Sequence, residues 1–339
     1  MHNKFLKWFV PMAATLVVGS GMFSVVNAAD KDKPGEGVSI TPAFPTIDEE
    51  RFRGEVAVLG LKELGYDVRK PKETEFPTLY IALAYGDADF TVHNWEVLHN
   101  DFYQNAGGDQ ALTKVGQVMN GVLQGYMIDK KTAEAYHIKD VSDLKKPEIA
   151  KLFDSNGDGK ADLTACNPGW GCELIIEHHM KAYGLQPTVT DNRGSYFALM
   201  ADTIARFNQG QPVLFYTWTP QWISNVLVEG RDVVWLPVPF TSLPNGKNDA
   251  STVHEGKNLG FPLDSVNAVM NKDYAVKNPA AAKFLSLYHM KAADESEQNF
   301  RMQKGEKSRA DIIRHANEWV AKHRAEFDGW LKEARAAAN

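Results

Sequence analysis

Cysteine is nearly absent from the sequence, since Cys166 and Cys172 are the only two in 339 residues. A framework of several disulfides, as in small secreted domains, is therefore excluded, and so is a zinc site made of four cysteines. The two cysteines close the segment CNPGWGC, which predicts one local disulfide if the compartment is oxidising. The alternative is a zinc site that adds His178 and His179, but adjacent helical residues point about 100° apart, which disfavours zinc.

Long apolar runs are also missing beyond the first 30 residues, so no later segment offers the roughly 20 apolar residues that a spanning helix needs. The start of the chain has basic Lys4 and Lys7, an apolar stretch and the small-residue site VNA. This pattern predicts a signal peptide over residues 1–28. A retained membrane anchor is the alternative, which the interruption at Pro11 disfavours. We expect the mature protein to be soluble and outside the cytoplasm, where a disulfide can form.

Signatures of nucleic-acid binding and of hydrolysis are missing as well. The net charge is −6 with acids and bases interspersed, and no basic patch is present for neutralising phosphates. Neither GxSxG nor HExxH occurs, and oxidised cysteines cannot act as thiolate nucleophiles. We therefore expect a protein that is not an enzyme and does not bind nucleic acid.

What the sequence does contain is an alternation of strand and helix patterns, which predicts an α/β fold with mainly parallel sheets. Residues 37–43 (GVSITPA) have a strand pattern. The segment from Thr46 to Glu49 has the spacing of a capping box and predicts the start of a helix that ends at Gly65. A second helix is predicted from Pro77. About 310 residues remain after cleavage of the signal peptide, so two domains are expected.

Two tryptophans fall where a predicted strand ends. Trp95 closes the strand pattern of DADFTVHNW, and Trp218 lies near the end of the strand pattern in PVLFYTWTPQW. Open α/β sheets present ligand-contacting residues at such places. His99 follows Trp95 at the i, i+4 spacing and is predicted on the same helical face. The alternative is that Trp95 and His99 only pack within the core.

The CNPGWGC segment adds a third tryptophan, Trp170, beside the predicted start of a helix that ends at Gly184. The N–H groups of Gly171 and Cys172 would lie at that helix N-terminus, which favours an anion. A disulfide would hold the ring and the donors in place before a ligand binds. Three tryptophans at strand and helix junctions indicate an aromatic cage of the kind that binds quaternary ammonium groups. The other tryptophans with a predicted role are expected in the core; they are Trp222, Trp235, Trp319 and Trp330.

Together these segments resemble the periplasmic glycine betaine/proline betaine-binding proteins of ABC transport systems. The resemblance covers the whole mature chain and rests on motifs such as GDADFT, NWEVLH, KLFDSNGDGKADLT, CNPGWGC, MADTIARF and YTWTPQW. It implies a two-lobed, type II-like periplasmic binding protein with its ligand in the cleft between the lobes. It also implies a cage of Trp95, Trp170 and Trp218 around the trimethylammonium group. The carboxylate would be bound by His99 and the N–H groups of Gly171 and Cys172, whereas His93 receives no role.

The resemblance implies further expectations about organisation and partners. One lobe would consist of residues 30–133 and 246–339, and the other of residues 134–245. The protein would be a periplasmic monomer that captures a betaine and delivers it to a membrane permease of an ABC importer for osmoprotection. The functional alternatives are a receptor for another quaternary ammonium compound such as choline, and a calcium-dependent adhesion module.

One acidic loop supports the calcium alternative. The segment DSNGDGKAD has the spacing of a calcium loop, but its twelfth position is Ala165 instead of the usual bidentate glutamate. No cofactor is expected to be required, and any calcium site here is expected to be weak. The alternative is a solvated loop held by Asx turns. The predicted calcium ligands are Asp154, Asn156, Asp158 and Asp162.

Overall fold

The computed structural model describes residues 32–246 and 251–338, and the predicted signal peptide of residues 1–28 lies outside the described residues. Within the described ranges, no helix has the length and apolar character required to cross a membrane. The strands are β1 (Ser39–Ile40), β2 (Ala43–Phe44), β3 (Asp67–Val68), β4 (Lys72–Glu73), β5 (Phe90–Trp95), β6 (Leu112–Asp129), β7 (Ala161–Thr164), β8 (Val189–Asn192), β9 (Leu214–Thr219), β10 (Val233–Leu236), β11 (Val253–His254), β12 (Lys257–Asn258) and β13 (Asp264–Asn271).

Helices occupy most of the connections between these strands and the C-terminal part of the chain. They are α1 (Asp48–Glu63), α2 (Phe76–Ala84), α3 (Asn100–Asn105), α4 (Lys130–Ala135), α5 (Pro147–Ala150), α6 (Gly171–Ala182), α7 (Tyr196–Asn208), α8 (Ile223–Val226), α9 (Lys272–Lys277), α10 (Pro279–Leu287), α11 (Ala292–Gln303), α12 (Arg309–Lys322) and α13 (Arg324–Ala336).

The longest strand, β6, joins the two halves of a central seven-stranded sheet in the described part of the chain. The strand order is β5-β13-β6-β9-β7-β8, with β10 also paired to β6. The first part of β6 pairs with β13 as far as Val122, and the second part pairs with β9 from Leu123 onward. The partner of β6 therefore changes between these two residues, and one strand serves both halves of the sheet.

The directions of these strands correct one expectation. Only β7 pairs in parallel within this sheet, with β8 and β9, whereas β6 is antiparallel to its three partners β9, β10 and β13. The prediction of mainly parallel sheets was wrong for this central sheet, although the two-stranded sheets β1-β3 and β2-β4 are parallel. Alternating hydrophobicity identifies a strand, but it does not identify the partner or the direction of the pairing, which depends on segments far away in sequence.

The local predictions near the N-terminal end of the described residues are confirmed in part. The predicted strand at residues 37–43 is divided into β1 and β2. The predicted capping box is wrong because Ile47 is the N-cap of α1 and the Thr46 hydroxyl donates to Glu75 instead. The predicted end of α1 is confirmed, since Gly65 follows it with φ 91°, a conformation that glycine adopts without a steric penalty.

The C-terminal helices pack against α1 and hold it beside the sheet. In the described chain α1 contacts α12, and α10 contacts α13. Buried side chains such as Phe52 and Leu61 lie on the inner face of α1, and each contributes roughly 1.5–3 kcal/mol by leaving water. This packing sets the position of the first turn of α1, which borders the candidate site.

Candidate functional site

All six predicted binding residues line one cavity. The cavity lies where β5 and the turn after it face the start of α6 and the end of β9. The structure therefore brings together residues that are far apart in the sequence. The predicted residues along its walls are Trp95, His99, Trp170, Gly171, Cys172 and Trp218.

The Trp95 indole is held by a buried carboxylate. Trp95 is the last residue of β5, and its Nε1–H donates to Glu50 Oε1 at 3.0 Å. Glu50 is buried in the first turn of α1 and also lines the cavity. Because the hydrogen bond fixes the edge of the indole, the ring has a defined orientation before any ligand binds.

The other two predicted cage residues form a corner. The rings of Trp170 and Trp218 lie 5.5 Å apart at an interplanar angle of 83°. Tyr196 packs against both, with ring centroids 4.8 Å from Trp218 and 6.0 Å from Trp170. Two perpendicular π faces supported from behind by a third ring suit a compact cation such as a methylated ammonium group.

His99 contributes a neutral imidazole to the cavity. Burial lowers the pKa of His99 to about 3, so the ring is uncharged at neutral pH and donates a hydrogen bond from one nitrogen only. The predicted helix from Trp95 to His99 is a turn, since α3 begins at Asn100. The expected proximity of the two residues still holds because His99 N–H donates to Trp95 O at 2.9 Å. The Asp264 carboxylate fixes the same turn by accepting the N–H groups of Val97 and Leu98.

The start of α6 supplies backbone donors. Gly171 and Cys172 are the first two residues of this helix, so their N–H groups have no carbonyl one turn earlier in the helix to bind. They line the cavity together with the imidazole of His99. The helix dipole adds a partial positive charge at the same place. This side of the cavity can therefore bind an anionic group such as a carboxylate.

The predicted disulfide is confirmed. Cys166 and Cys172 are bonded, with their Cα atoms 6.4 Å apart, and the zinc alternative is wrong because both thiols are used. The histidines of that alternative have other partners: His178 Nε2 lies 2.9 Å from Ser242 Oγ, and His179 Nδ1 lies 2.9 Å from the Tyr126 hydroxyl.

A buried charge cluster behind Trp95 was missed in the sequence analysis. Arg53 forms ion pairs with both Glu50 and Glu295. Burial acts to raise the pKa of Glu50, but the charge of Arg53, the largest opposing effect, helps to lower the pKa to about 2. Burial raises the pKa of Glu295 to about 8. Glu50 thus stays ionised beside the cavity, and the i, i+3 spacing of Glu50 and Arg53 was the only signal of the cluster in the sequence.

His93, which received no role from the sequence, belongs to this cluster. Its Nδ1 lies 3.6 Å from Glu50 and accepts a hydrogen bond from Arg53 Nε at 3.2 Å. Burial lowers the pKa of His93 to about 4, so the imidazole is neutral at physiological pH. His93 therefore supports the charge cluster behind the cavity instead of lining the cavity itself.

Gln124 is a further polar residue that the sequence analysis missed. It is fully buried on β6 and lines the cavity. Its Oε1 accepts the Tyr216 hydroxyl at 2.7 Å, whereas its Nε2, like Trp170 Nε1, has no hydrogen-bond partner within residues 32–246 and 251–338. The apolar cavity residues that were also missed are Ile47, Phe76 and Leu98.

The tryptophans predicted for the core divide into two groups. Trp235, Trp319 and Trp330 are buried and, in the described structure, do not line the cavity. Trp222 is only half-buried, stacks on Phe197 with ring centroids 6.2 Å apart, and lines a neighbouring groove. The prediction for Trp222 is therefore confirmed only in part, since the ring packs against the edge of the core.

The acidic loop lies away from the cavity and is held by its own hydrogen bonds. Asp154 accepts the N–H groups of Gly157 and Gly159 at 2.7 and 2.8 Å. The buried Asp162 accepts the N–H of Ser155 at 2.8 Å and the side-chain amide of Asn156 at 3.1 Å. Among the residues that the structure describes, no group of three or more His, Cys, Asp or Glu side chains is arranged to hold a metal ion.

The chain is similar to proteins of one known family along most of its length. The family model for the substrate-binding domain of ABC-type glycine betaine transport systems matches residues 38–322. The chain is 53% identical to the glycine betaine-binding periplasmic protein OusX of Dickeya dadantii, over 96% of this chain and 97% of that protein. It is 50% identical to the glycine betaine/proline betaine-binding periplasmic protein of Escherichia coli, over 90% and 93% of the two chains.

Solved structures share the fold at lower sequence identity. Lactococcal OpuAC in its closed conformation with glycine betaine matches with a TM-score of 0.66 at 20% identity, covering 87% of this chain and 99% of that one. A choline-binding protein of an ABC transporter in complex with choline matches with a TM-score of 0.68 at 17% identity, covering 88% and 96%. The predicted α/β fold of a two-lobed binding protein is confirmed.

Proposed function

Because the chain belongs to the family of substrate-binding domains of ABC-type glycine betaine transport systems, we propose that it captures glycine betaine or proline betaine and delivers it to the membrane permease of an ABC importer. Members of this family are binding proteins and not enzymes. The observation that carries the proposal is one cavity bordered by three indole rings and by three N–H donors. The adhesion alternative has no support from the family. Import of such a ligand would serve osmoprotection.

The proposed binding mode places each end of the zwitterion against matching chemistry. A quaternary ammonium group has no N–H to donate, so it is held by the π faces of Trp95, Trp170 and Trp218 through cation–π attraction. The ionised Glu50 behind Trp95 adds a negative potential on the same side. The carboxylate accepts charge-assisted hydrogen bonds from His99 and from the N–H groups at the start of α6.

We also propose that binding closes two lobes around the ligand. The predicted lobes of residues 30–133 with 246–339, and of residues 134–245, stay a prediction. Two observations support such a movement: β6 changes its partner between Val122 and Leu123, and Leu98 on one side of the cavity touches Gly171 on the other. A ligand that contacts both sides stabilises the closed arrangement by its differential affinity for it.

The remaining expectations about location and assembly are part of the same proposal. The curated relatives are periplasmic proteins by name, and the first residues of this chain have the pattern of an export signal. We propose export to the periplasm with removal of residues 1–28, and action as a monomer.

Choline separates the contributions of the two ends of the proposed site to the affinity. It keeps the trimethylammonium group and has a hydroxyl in place of the carboxylate. Calorimetric titration of the mature protein should give at least about tenfold tighter binding of glycine betaine than of choline, since charge-assisted hydrogen bonds are lost. Proline betaine and proline complete the panel: the first carries a quaternary ammonium group and the second does not. Equal affinities for betaine and choline would refute the carboxylate assignment and favour the choline receptor.

The disulfide is expected to contribute to ligand binding as well as to stability. It closes a short loop and stabilises the fold by only roughly 2 kcal/mol in the chain-entropy model, so the double variant Cys166→Ser, Cys172→Ser should lower Tm by about 4–8 °C. The same variant should weaken betaine binding about fivefold or more, because Trp170 and the α6 donors must then be ordered on binding. Thermal melts and titrations of one preparation measure both effects. Unchanged affinity, or free thiols in the exported wild type, would contradict this role.

For the acidic loop we propose that hydrogen bonds, and not calcium, hold the conformation. The predicted ligands already accept N–H groups of the loop, and the twelfth position lacks a carboxylate. Millimolar calcium should therefore leave Tm unchanged relative to a chelator control. A ligand that binds the folded state raises Tm by mass action, so a calcium-dependent rise that disappears in Asp158→Asn would establish the site instead.

A further inference from the structure

His99 faces a buried series of hydrogen bonds, formed with Tyr80 and Asn94, that has no direct role in the proposed ligand contacts. Its Nδ1 lies 3.3 Å from the hydroxyl of Tyr80, and the same hydroxyl accepts the side-chain amide of Asn94 at 2.6 Å. All three side chains are almost completely buried. Nδ1 faces Tyr80, and the backbone carbonyl of His93 also acts on the ring, which as a whole lines the cavity.

The order of donors in this chain determines which nitrogen of His99 carries the proton. Asn94 donates Nδ2–H to the Tyr80 oxygen, so the hydroxyl proton of Tyr80 is free to point at His99. A neutral imidazole that accepts at Nδ1 carries its proton on Nε2. Burial raises the pKa of Tyr80, so the hydroxyl keeps its proton.

If the hydrogen bonds ran in the opposite direction, His99 would present the wrong group to an anion. If the Asn94 carbonyl accepted the Tyr80 hydroxyl, His99 would have to donate from Nδ1, and a bare Nε2 lone pair would face the cavity. That arrangement would also deprive the buried amide of Asn94 of its present acceptor, and a buried donor without a partner is costly. The observed order keeps the amide donor paired and presents an N–H to the cavity, while the Asn94 carbonyl oxygen has no partner among the described residues.

We propose that Tyr80, oriented by Asn94, is a positioning residue that holds neutral His99 in the tautomer whose Nε2–H donates to the ligand carboxylate. The role in binding rests on the proposed function, whereas the tautomer itself is a property of the free protein. Fixing the tautomer before binding removes the need to reorganise the proton and the ring when the ligand arrives.

The test uses Tyr80→Phe, which removes the hydroxyl and keeps the ring. Tyr103→Phe is the matched control, because Tyr103 is also buried, lies 6.4 Å from the Tyr80 ring and donates its hydroxyl to Asp109 instead. Nitrogen-15 NMR of the imidazole in the ligand-free protein reports the tautomer. Wild type and Tyr103→Phe should show the proton on Nε2, and Tyr80→Phe should show a mixture of the two tautomers.

Affinity gives the second readout. Tyr80→Phe should weaken glycine betaine binding about fivefold, as expected for one weakened hydrogen bond, and should change choline binding by less than about twofold because choline lacks the carboxylate. If Tyr80→Phe does not fold, Asn94→Leu should give the same pattern, because it frees the Tyr80 hydroxyl to turn either way.

Three results would overturn the proposal. One is a wild-type spectrum with the proton on Nδ1, and another is a Tyr80→Phe protein with unchanged tautomer and betaine affinity. The third is an equal loss of betaine and choline binding, which would make Tyr80 a packing residue only. A wild-type protein with the Nε2–H tautomer but no affinity for betaine would instead refute the proposed function, so the two failures are distinguishable.

Discussion

Replacing one cage tryptophan with alanine is expected to weaken glycine betaine binding by roughly thirtyfold, which corresponds to about 2 kcal/mol for a cation–π contact shielded from water. The prediction applies to Trp95, Trp170 and Trp218, which border one cavity. Trp→Phe keeps a smaller π face and should cost less affinity than Trp→Ala at each position. Titration calorimetry of the six variants gives the order directly.

Trp235 is the control for this series. It lies on β10, is 5% exposed, and packs its ring against the backbone of Gly125. Truncation to alanine should lose about 3–5 kcal/mol of folding stability through cavity formation, with little change in betaine affinity. If the cage variants melt early yet bind betaine as wild type does, the three rings are core residues and the cage assignment fails.

Burial alone does not distinguish the cage residues from this control. Trp95, Trp170 and Trp218 are 4%, 6% and 5% exposed, as little as Trp235. Rings in an open cleft would contribute little to stability, whereas these rings are almost completely buried in this structure. The cage variants are therefore expected to lower Tm as well, and the dissociation constant for betaine is the measurement that separates the two roles.

A single methyl group at Gly171 is expected to prevent tight binding. A Cβ added there would lie 2.6 Å from Leu98 Cγ and 3.1 Å from Leu98 O, across the cavity. Overpacking of this kind costs about 1–3 kcal/mol. Under the proposed closure of the lobes, this clash opposes the closed, ligand-bound state, so Gly171→Ala should weaken betaine binding at least about fivefold.

A double-mutant cycle separates the clash from other effects. Gly171→Ala keeps the backbone N–H, so the loss cannot come from a missing donor. Leu98→Ala removes the side chain that the new methyl group would meet, and in combination it should restore part of the affinity. Gly329→Ala is the matched control, because its Cβ would meet no described atom within 4 Å. Additive losses in the cycle would show that the two residues do not meet when the ligand is bound.

The sequence alone was sufficient to predict the strand and helix ends that position the proposed ligand-binding residues. Trp95 ends β5, Trp170 precedes α6, and Trp218 lies near the end of β9, as their patterns predicted. These features depend on short-range signals, namely alternation, glycine after a helix and the spacing of the cysteines. The capping box failed because Thr46 has a partner in Glu75, which no local rule anticipates.

The parts that could not be predicted depend on contacts between distant segments. Arg53 and Glu295 are 242 positions apart. Nothing in the sequence around either residue indicates that the charged residues in the first part of α1 are buried against Glu295. Gln124 has an ordinary strand context, and its free amide becomes significant only once β6 runs beneath the cavity. Buried polar networks of this kind are satisfied by three-dimensional neighbours and not by sequence neighbours.

The continuity of β6 has a consequence for how the molecule can be divided. Val122 and Leu123 are adjacent, yet their hydrogen-bonding partners belong to opposite halves of the sheet. Cutting the chain after β6 would separate this strand from β9, β10 and β13, which all follow it in the sequence, and would expose their N–H and C=O groups. Such edges invite pairing with other chains and aggregation. A fragment that ends at β6 is therefore a poor starting point for a smaller protein that senses the ligand. Insertion of a reporter domain in an exposed loop would instead keep β6 intact.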